Sequence, residues 1–232
     1  MPFELIPYKS AADWQRALVK QLVTRVREDL AADRPAVLCL AGGSTPLPVY
    51  KELAGANLDW SRVTVLPGDD RCVAHTDIHS NVHQFREAFA DAAGVTVLPI
   101  TQDDGGTGLQ PALDAANAYP MHFTATVLGM GNDMHTASLF PGAVNLAEGL
   151  DKLSHVDVLQ TVPDPLPAEA PYPRITLTAQ RLLRSRAVIL AIRGQAKRDA
   201  LRRALDLGDP LLAPILALIN DSATNTEIHW AP

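Results

Sequence analysis

The chain has 232 residues, 47% of them hydrophobic, which is enough for a full core and argues against disorder. Twenty basic residues against 26 acidic give a net charge of −6, so a nucleic-acid partner, which selects a basic excess, is not expected. Two cysteines make no disulfide framework: Cys39 lies in an apolar run and reads as a small buried hydrophobe, and Cys72, beside Arg71, reads as a packing residue.

The opening MPFELIPYKS has no basic region and no long apolar stretch, so no signal peptide is expected. Residues 10–33 carry Trp14, Leu18, Leu22, Val26 and Leu30 at helical spacing. Ala36 to Leu40 is an unbroken apolar run between Pro35 and Gly42, the pattern of a buried strand. A helix is expected from Ser44 to Ala54, capped by Ser44 or Thr45 with Pro46 in its first turn. A strand follows at Val63 to Leu66, a helix at Ser80 to Asp91 with Ser80 as cap, a short strand at Val95 to Leu98, and a helix over residues 107–118. Phe123 to Leu128 predicts another buried strand, and a helix is expected to begin near His135. Leu153 to Pro173 is proline-rich and irregular, with room for one strand. Arg174 to Leu177 is extended and leads into a helix near Ala179, Ala187 to Ile192 is a strand, Gln195 to Leu207 a helix, and Glu227 to Trp230 a last strand. The apolar run LLAPILALIN holds Pro214 and is too short to span a bilayer. A cytoplasmic protein with no membrane partner is therefore expected.

Strands alternating with helices call for an α/β fold, a mostly parallel sheet with helices on both faces. No linker divides the chain, so one domain over residues 1–232 is expected. A monomer and a homodimer both remain open. In such a sheet ligands bind beyond the carboxyl ends of the strands, and four loops sit there.

The first, AGGSTP, places Gly42 and Gly43 before Ser44 and Thr45 at a helix start, where backbone amides and the dipole favour an anion. A plain capped turn explains it equally well, and the spacing does not match a triphosphate-binding loop. The second, GDDRCV, brings Asp69, Asp70 and Arg71 to a strand end. Arg71 has the fork to grip a phosphate and Asp69 can take a proton. The plainer reading is a surface loop in which Arg71 pairs with either aspartate. The third, GMGNDMHTASLFPG, gathers Gly129, Gly131, Asp133, His135, Thr136 and Ser138, so it can both hold an anion and move a proton. The last group pairs RITLT, with Arg174, and GQAK, with Lys197. A lysine at a helix start is unfavourable unless an anion neutralises it. His75, His79 and His83 recur every four residues, yet a helix beginning near Ser80 leaves two of them in a loop. A metal is not expected there.

GGSTP, DDR, GNDMHTASLFP, RITLT and GQAK, in that order and spread over most of the chain, resemble the 6-phosphogluconolactonase family. The resemblance implies the Rossmann-like fold shared with glucosamine-6-phosphate deaminases. It also implies hydrolysis of a phosphorylated sugar lactone in the oxidative pentose phosphate route, without metal or cofactor. By position it makes His135 the catalytic base, with Asp133 or Asp69 orienting it. Arg71, Arg174 and Lys197 hold phosphate or sugar, and Gly42, Gly43, Ser44, Thr45 and Gly131 line the same site. Two departures stand out. Met134 replaces a usual glycine and is strained if that position needs φ > 0. Asp70 replaces a usual glutamate, one methylene longer. A deaminase would carry an Asn-Glu-Pro pattern where this chain has Leu139-Phe140-Pro141 after Ser138. A non-catalytic sugar-phosphate sensor would add a regulatory segment for which the chain has little room.

Overall fold

The computed structural model describes residues 3–162, 171–221, 223–224 and 226–232. Residues 163–170 of the proline-rich stretch Leu153 to Pro173 lie outside them. In chain order the first half runs β1 (Phe3–Pro7), α1 (Ala11–Ala31), β2 (Ala36–Leu40), α2 (Leu47–Ala54), β3 (Val63–Pro67), β4 (Asp69–Arg71), α3 (Asn81–Ala88), β5 (Thr96–Val97), α4 (Gln110–Ala118) and β6 (Ala125–Leu128). The second half runs α5 (Leu146–Leu150), β7 (Val158–Thr161), β8 (Arg174–Leu177), α6 (Ala179–Leu183), β9 (Val188–Arg193), α7 (Gln195–Leu207), α8 (Ile215–Ile219) and β10 (Thr226–Ala231).

Seven strands form one sheet in the order β1-β10-β9-β6-β2-β3-β5, every pair parallel. Strand pleat divides their apolar runs between two cores. In β2, Ala36, Leu38 and Leu40 face a cluster with Trp14, Leu18, Leu22 and Val26 of α1, Tyr50 of α2 and Phe85 of α3. Val37 and Cys39 face the opposite cluster, with Ala112 of α4, Leu182 of α6, Leu201 of α7 and Leu216 of α8. Helices therefore cover both faces, and β2, β3, β6 and β9 are mainly apolar, with Thr64, Thr126 and the terminal Arg193 as the polar members, because both of their sides are buried. No helix among the described residues is long and apolar enough to cross a membrane.

The strand order reverses between β2 and β6, since β3 lies beyond one and β9 beyond the other. This switch point is where such sheets open a crevice. A second, antiparallel sheet, β4-β8-β7, sits beside it. Gly68 joins the two sheets: its amide donates to Leu40 of β2 and its carbonyl accepts from Leu177 of β8.

Several expectations are corrected. DDR is not a surface loop but strand β4, with Asp70 fully buried. Helix α2 begins at Leu47 with Pro46 at its cap and no side-chain cap bond, so Ser44 and Thr45 lie ahead of it. No helix begins near His135. Met134 and Ala137 have φ of 68° and 48°, left-handed values that a right-handed helix cannot continue, so the chain turns until α5. The short elements β1, β4, α5 and α8 were not anticipated.

Candidate active site

A cavity of about 360 Å³ opens at the switch point. It is lined by Gly42, Gly43, Ser44, Thr45, Asp69, Arg71, Gly131, His135, Arg174 and Lys197, so ten of the eleven site residues expected from sequence meet there. The eleventh, Asp133, stands behind the imidazole.

The floor on one side is the turn after β2. Gly43 takes φ +96°, a conformation natural only to glycine, and its amide donates to Gln84 Oε1 at 3.0 Å. Gly42 must lack a Cβ, because one there would lie 1.9 Å from Asn81 Oδ1. Among the described residues the amides and hydroxyls of Ser44 and Thr45 donate to no protein group, which leaves four donors at the start of α2.

The small sheet supplies charge. Arg71 and Arg174 are direct partners in the β4·β8 ladder. Like charges opposite one another destabilise a strand pair, so this arrangement favours an anion between them. The Arg71 Nη1 donates to His79 O at 2.7 Å and Asn81 Oδ1 at 3.3 Å, so its expected pairing with Asp69 or Asp70 is not formed. Asp70 instead binds the first amides of α3, whose N-cap is Ser80 as expected. Its carboxylate accepts from the amides of Arg71, Asn81 and Val82 and from Ser80 Oγ. Burial pushes its pKa up to about 6 although those amide bonds pull it down. One methylene less than glutamate therefore leaves this residue a structural partner with its hydrogen bonds satisfied.

Asp69 accepts from Ser138 Oγ at 2.5 Å, and Asn81 Nδ2 donates to its carbonyl at 2.6 Å. It is thereby tied to the turn after β6 and does not orient the imidazole. Asp133 has that place, with Oδ1 2.6 Å from His135 Nδ1. Burial raises the Asp133 pKa, but the hydrogen bond and charge of His135 outweigh it, and the carboxyl is held below its ordinary value. The Gly131 amide donates to the His135 carbonyl at 2.9 Å, and a Cβ on Gly131 would lie 2.2 Å from both Asp133 Oδ1 and His135 Nδ1. Glycine is thus required at 131 for the aspartate–histidine pair to close. Met134, between the pair, does occupy φ +68°. Its carbonyl accepts from Ile215, and its side chain packs on the core.

Arg71, Arg174, Lys197 and Arg193 line the cavity against one carboxylate, Asp69. Desolvation lowers the pKa of both Arg174 and Lys197, opposed by Asp69 and Asp133 respectively. A chain of net charge −6 has thus gathered a positive pocket, as an anionic ligand requires. Among the described residues no group of three or more His, Cys, Asp or Glu is placed to hold a metal ion. His75 meets Thr101 and His79 meets Asp77.

Two contributors were missed in the sequence: Asn81 bridges Asp69 and Arg71, and Phe140 stacks on His135. Arg193, at the head of the expected loop Arg193–Lys197, lines the rim with its guanidinium over Trp14. Asn81 carried no local signal, since its partners lie ten or more residues away. Phe140 was visible only as part of a motif.

Residues 9–230 match the family model described as glucosamine-6-phosphate isomerases/6-phosphogluconolactonase. A Xylella fastidiosa protein named 6-phosphogluconolactonase is 32% identical over 230 residues, covering 97% of this chain and 95% of that protein. One of the same name from Rhizobium meliloti is 33% identical over 224 residues, covering 93% of each. The crystal structure of a 6-phosphogluconolactonase from Shewanella baltica is similar with a TM-score of 0.91 at 28% identity, covering 99% of this chain and 98% of the other. A match of this length in both sequence and fold places the chain in the family of glucosamine-6-phosphate isomerases and 6-phosphogluconolactonases.

Proposed function

We propose that the protein hydrolyses 6-phospho-D-glucono-1,5-lactone to 6-phosphogluconate, as a step of the oxidative pentose phosphate route. The observation that carries this reading is one imidazole, braced by a carboxylate, opening onto a pocket with four cations. Its relatives named 6-phosphogluconolactonase support the substrate class.

The chemistry follows from the groups present. Asp133 accepts the Nδ1 proton of His135, which leaves Nε2 as the basic nitrogen. Nε2 takes a proton from water as its oxygen attacks the lactone carbonyl carbon. The carbonyl π bond opens to a tetrahedral oxyanion, which the positive lining stabilises without reorganising. As the carbon–ring oxygen bond breaks, the imidazolium returns the proton to that oxygen, giving a hydroxyl and a carboxylic acid that ionises in water. Arg71, Arg174, Lys197, the Ser44 and Thr45 donors and Gly43 hold the phosphate, and Asp69 lies toward the reacting end of the sugar. Binding energy from the phosphate fixes the distant carbonyl beside the base.

The test is a coupled assay of lactone loss, read against spontaneous opening without protein. His135→Ala is expected to lower kcat by about 10²–10⁴, the usual contribution of a positioned acid–base group. Arg174→Ala and Lys197→Ala are expected to raise KM chiefly. Full turnover by His135→Ala would overturn the base assignment, and no acceleration by the unaltered protein would overturn the activity.

A further inference from the structure

Phe140 occupies a place that neither base chemistry nor phosphate binding accounts for. Its ring is 5% exposed, lines the cavity, and has His135 stacked on it with centroids 4.2 Å apart and planes 29° from parallel. The guanidinium carbon of Arg174 lies 5.0 Å from the centroid of the same ring. The turn carrying Phe140 is fixed to the small sheet. Ser138 donates its amide to Thr176 Oγ1 of β8 and its hydroxyl to Asp69 of β4, Leu139 donates to Thr136, and the Phe140 carbonyl accepts from Ala143.

We infer that Phe140 is a positioning residue: one rigid aromatic ring sets the plane of the His135 imidazole and the placement of the Arg174 guanidinium, so base and anion-binding cation are aligned together. The hydrogen bond from Nδ1 to Asp133 fixes one point of the imidazole but leaves rotation about that bond. A stacked face removes that rotation. The electron-rich ring attracts the guanidinium on the same account. This inference rests on the reading of His135 as base and Arg174 as anion ligand.

Phe140→Met and Phe140→Leu remove the aromatic face with little change in volume, whereas Phe140→Tyr keeps it. Loss of the stack is expected to lower kcat about three- to tenfold, and loss of the cation–ring contact to raise both KM and the Kd for inorganic phosphate about three- to tenfold. Phe140→Tyr should stay within about twofold on all three. The Hε1 proton resonance of His135 should move downfield in the two aliphatic variants and stay in place in Phe140→Tyr. Wild-type kcat, KM and phosphate affinity in both aliphatic variants would overturn the inference, as would equal losses in Phe140→Tyr and Phe140→Leu. The phosphate and resonance measurements need no turnover, so they decide the role of Phe140 even if the protein proves inactive on the lactone.

Discussion

The two sheets of this molecule are built on opposite principles. In the seven-stranded sheet, β2 reads AVLCL and β9 reads VILAI before Arg193 at its end, runs in which any well-fitting hydrophobe serves because both faces are covered. In the three-stranded sheet, β4 reads DDR and β8 reads RITL, and the polar side chains of these two strands have specific partners or face the cavity. The first sheet sets where the crevice opens, and the second sets what the crevice can hold. Perturbing the first should cost stability and leave the chemistry alone. Perturbing the second should change charge and pH response within an intact fold.

The largest effect tests the first half of that contrast. Leu38 is fully buried at the centre of β2. Leu38→Ala removes three carbons and leaves a cavity that the sheet cannot close, a loss of about 2–5 kcal/mol in unfolding free energy. Urea unfolding should show that loss, while kcat/KM per folded molecule stays within about twofold. A variant that unfolds as wild type yet loses activity would break the contrast.

The same contrast explains what could be read from the sequence. The buried strands and helices α1 and α7 were legible because a continuous apolar run, or apolar residues every three to four positions, has few other ways to be buried. β4 was illegible because three charged residues carry no strand signal. They extend only because Gly68 ties them to β2 and Arg174 to Thr176 pair alongside. The site was legible where chemistry is local, in the Asp133–His135 pair. It was illegible where partners are far apart in sequence, as with Ser138 and Asp69 or Asn81 and Gly42. The helix expected at His135 failed because two left-handed residues within four positions outweigh helix propensity.

A smaller effect tests the second half. Burial holds the Asp70 pKa up at about 6, against amide bonds from Asn81, Val82 and Arg71 that lower it. The unfolded carboxyl keeps its ordinary value of 3.8. Between these the folded chain binds more protons than the unfolded one, so this group's contribution to stability falls as pH rises from about 4 through 6. Asp70→Asn removes the titration, and relative to it the wild type should lose on the order of 2–3 kcal/mol across that window. From pH 4.5 to 7.5 the urea midpoint of the wild type should fall relative to that of the variant. Parallel curves would show that the small sheet carries no buried proton.

The smallest effect lies where the two sheets are joined. The turn after β6 runs from the large sheet to its anchors on β8 and β4, and Met134 holds φ +68° within it. That backbone conformation costs a non-glycine residue about 1–2 kcal/mol, and the packing of Met134 on the core offsets part of the cost. Two substitutions separate the terms. Met134→Ala keeps the strain and loses the packing, whereas Met134→Gly loses the packing and releases the strain, less the extra entropy of an unfolded glycine. The alanine variant should therefore unfold about 1 kcal/mol more easily than the glycine variant, with kcat in both close to wild type because Asp133 and His135 remain paired. Identical midpoints would mean that the turn relaxes without strain. The sheets would then be coupled by hydrogen bonds alone, and the positive φ at Met134 would be a consequence of closing the Asp133–His135 pair rather than a cost of it.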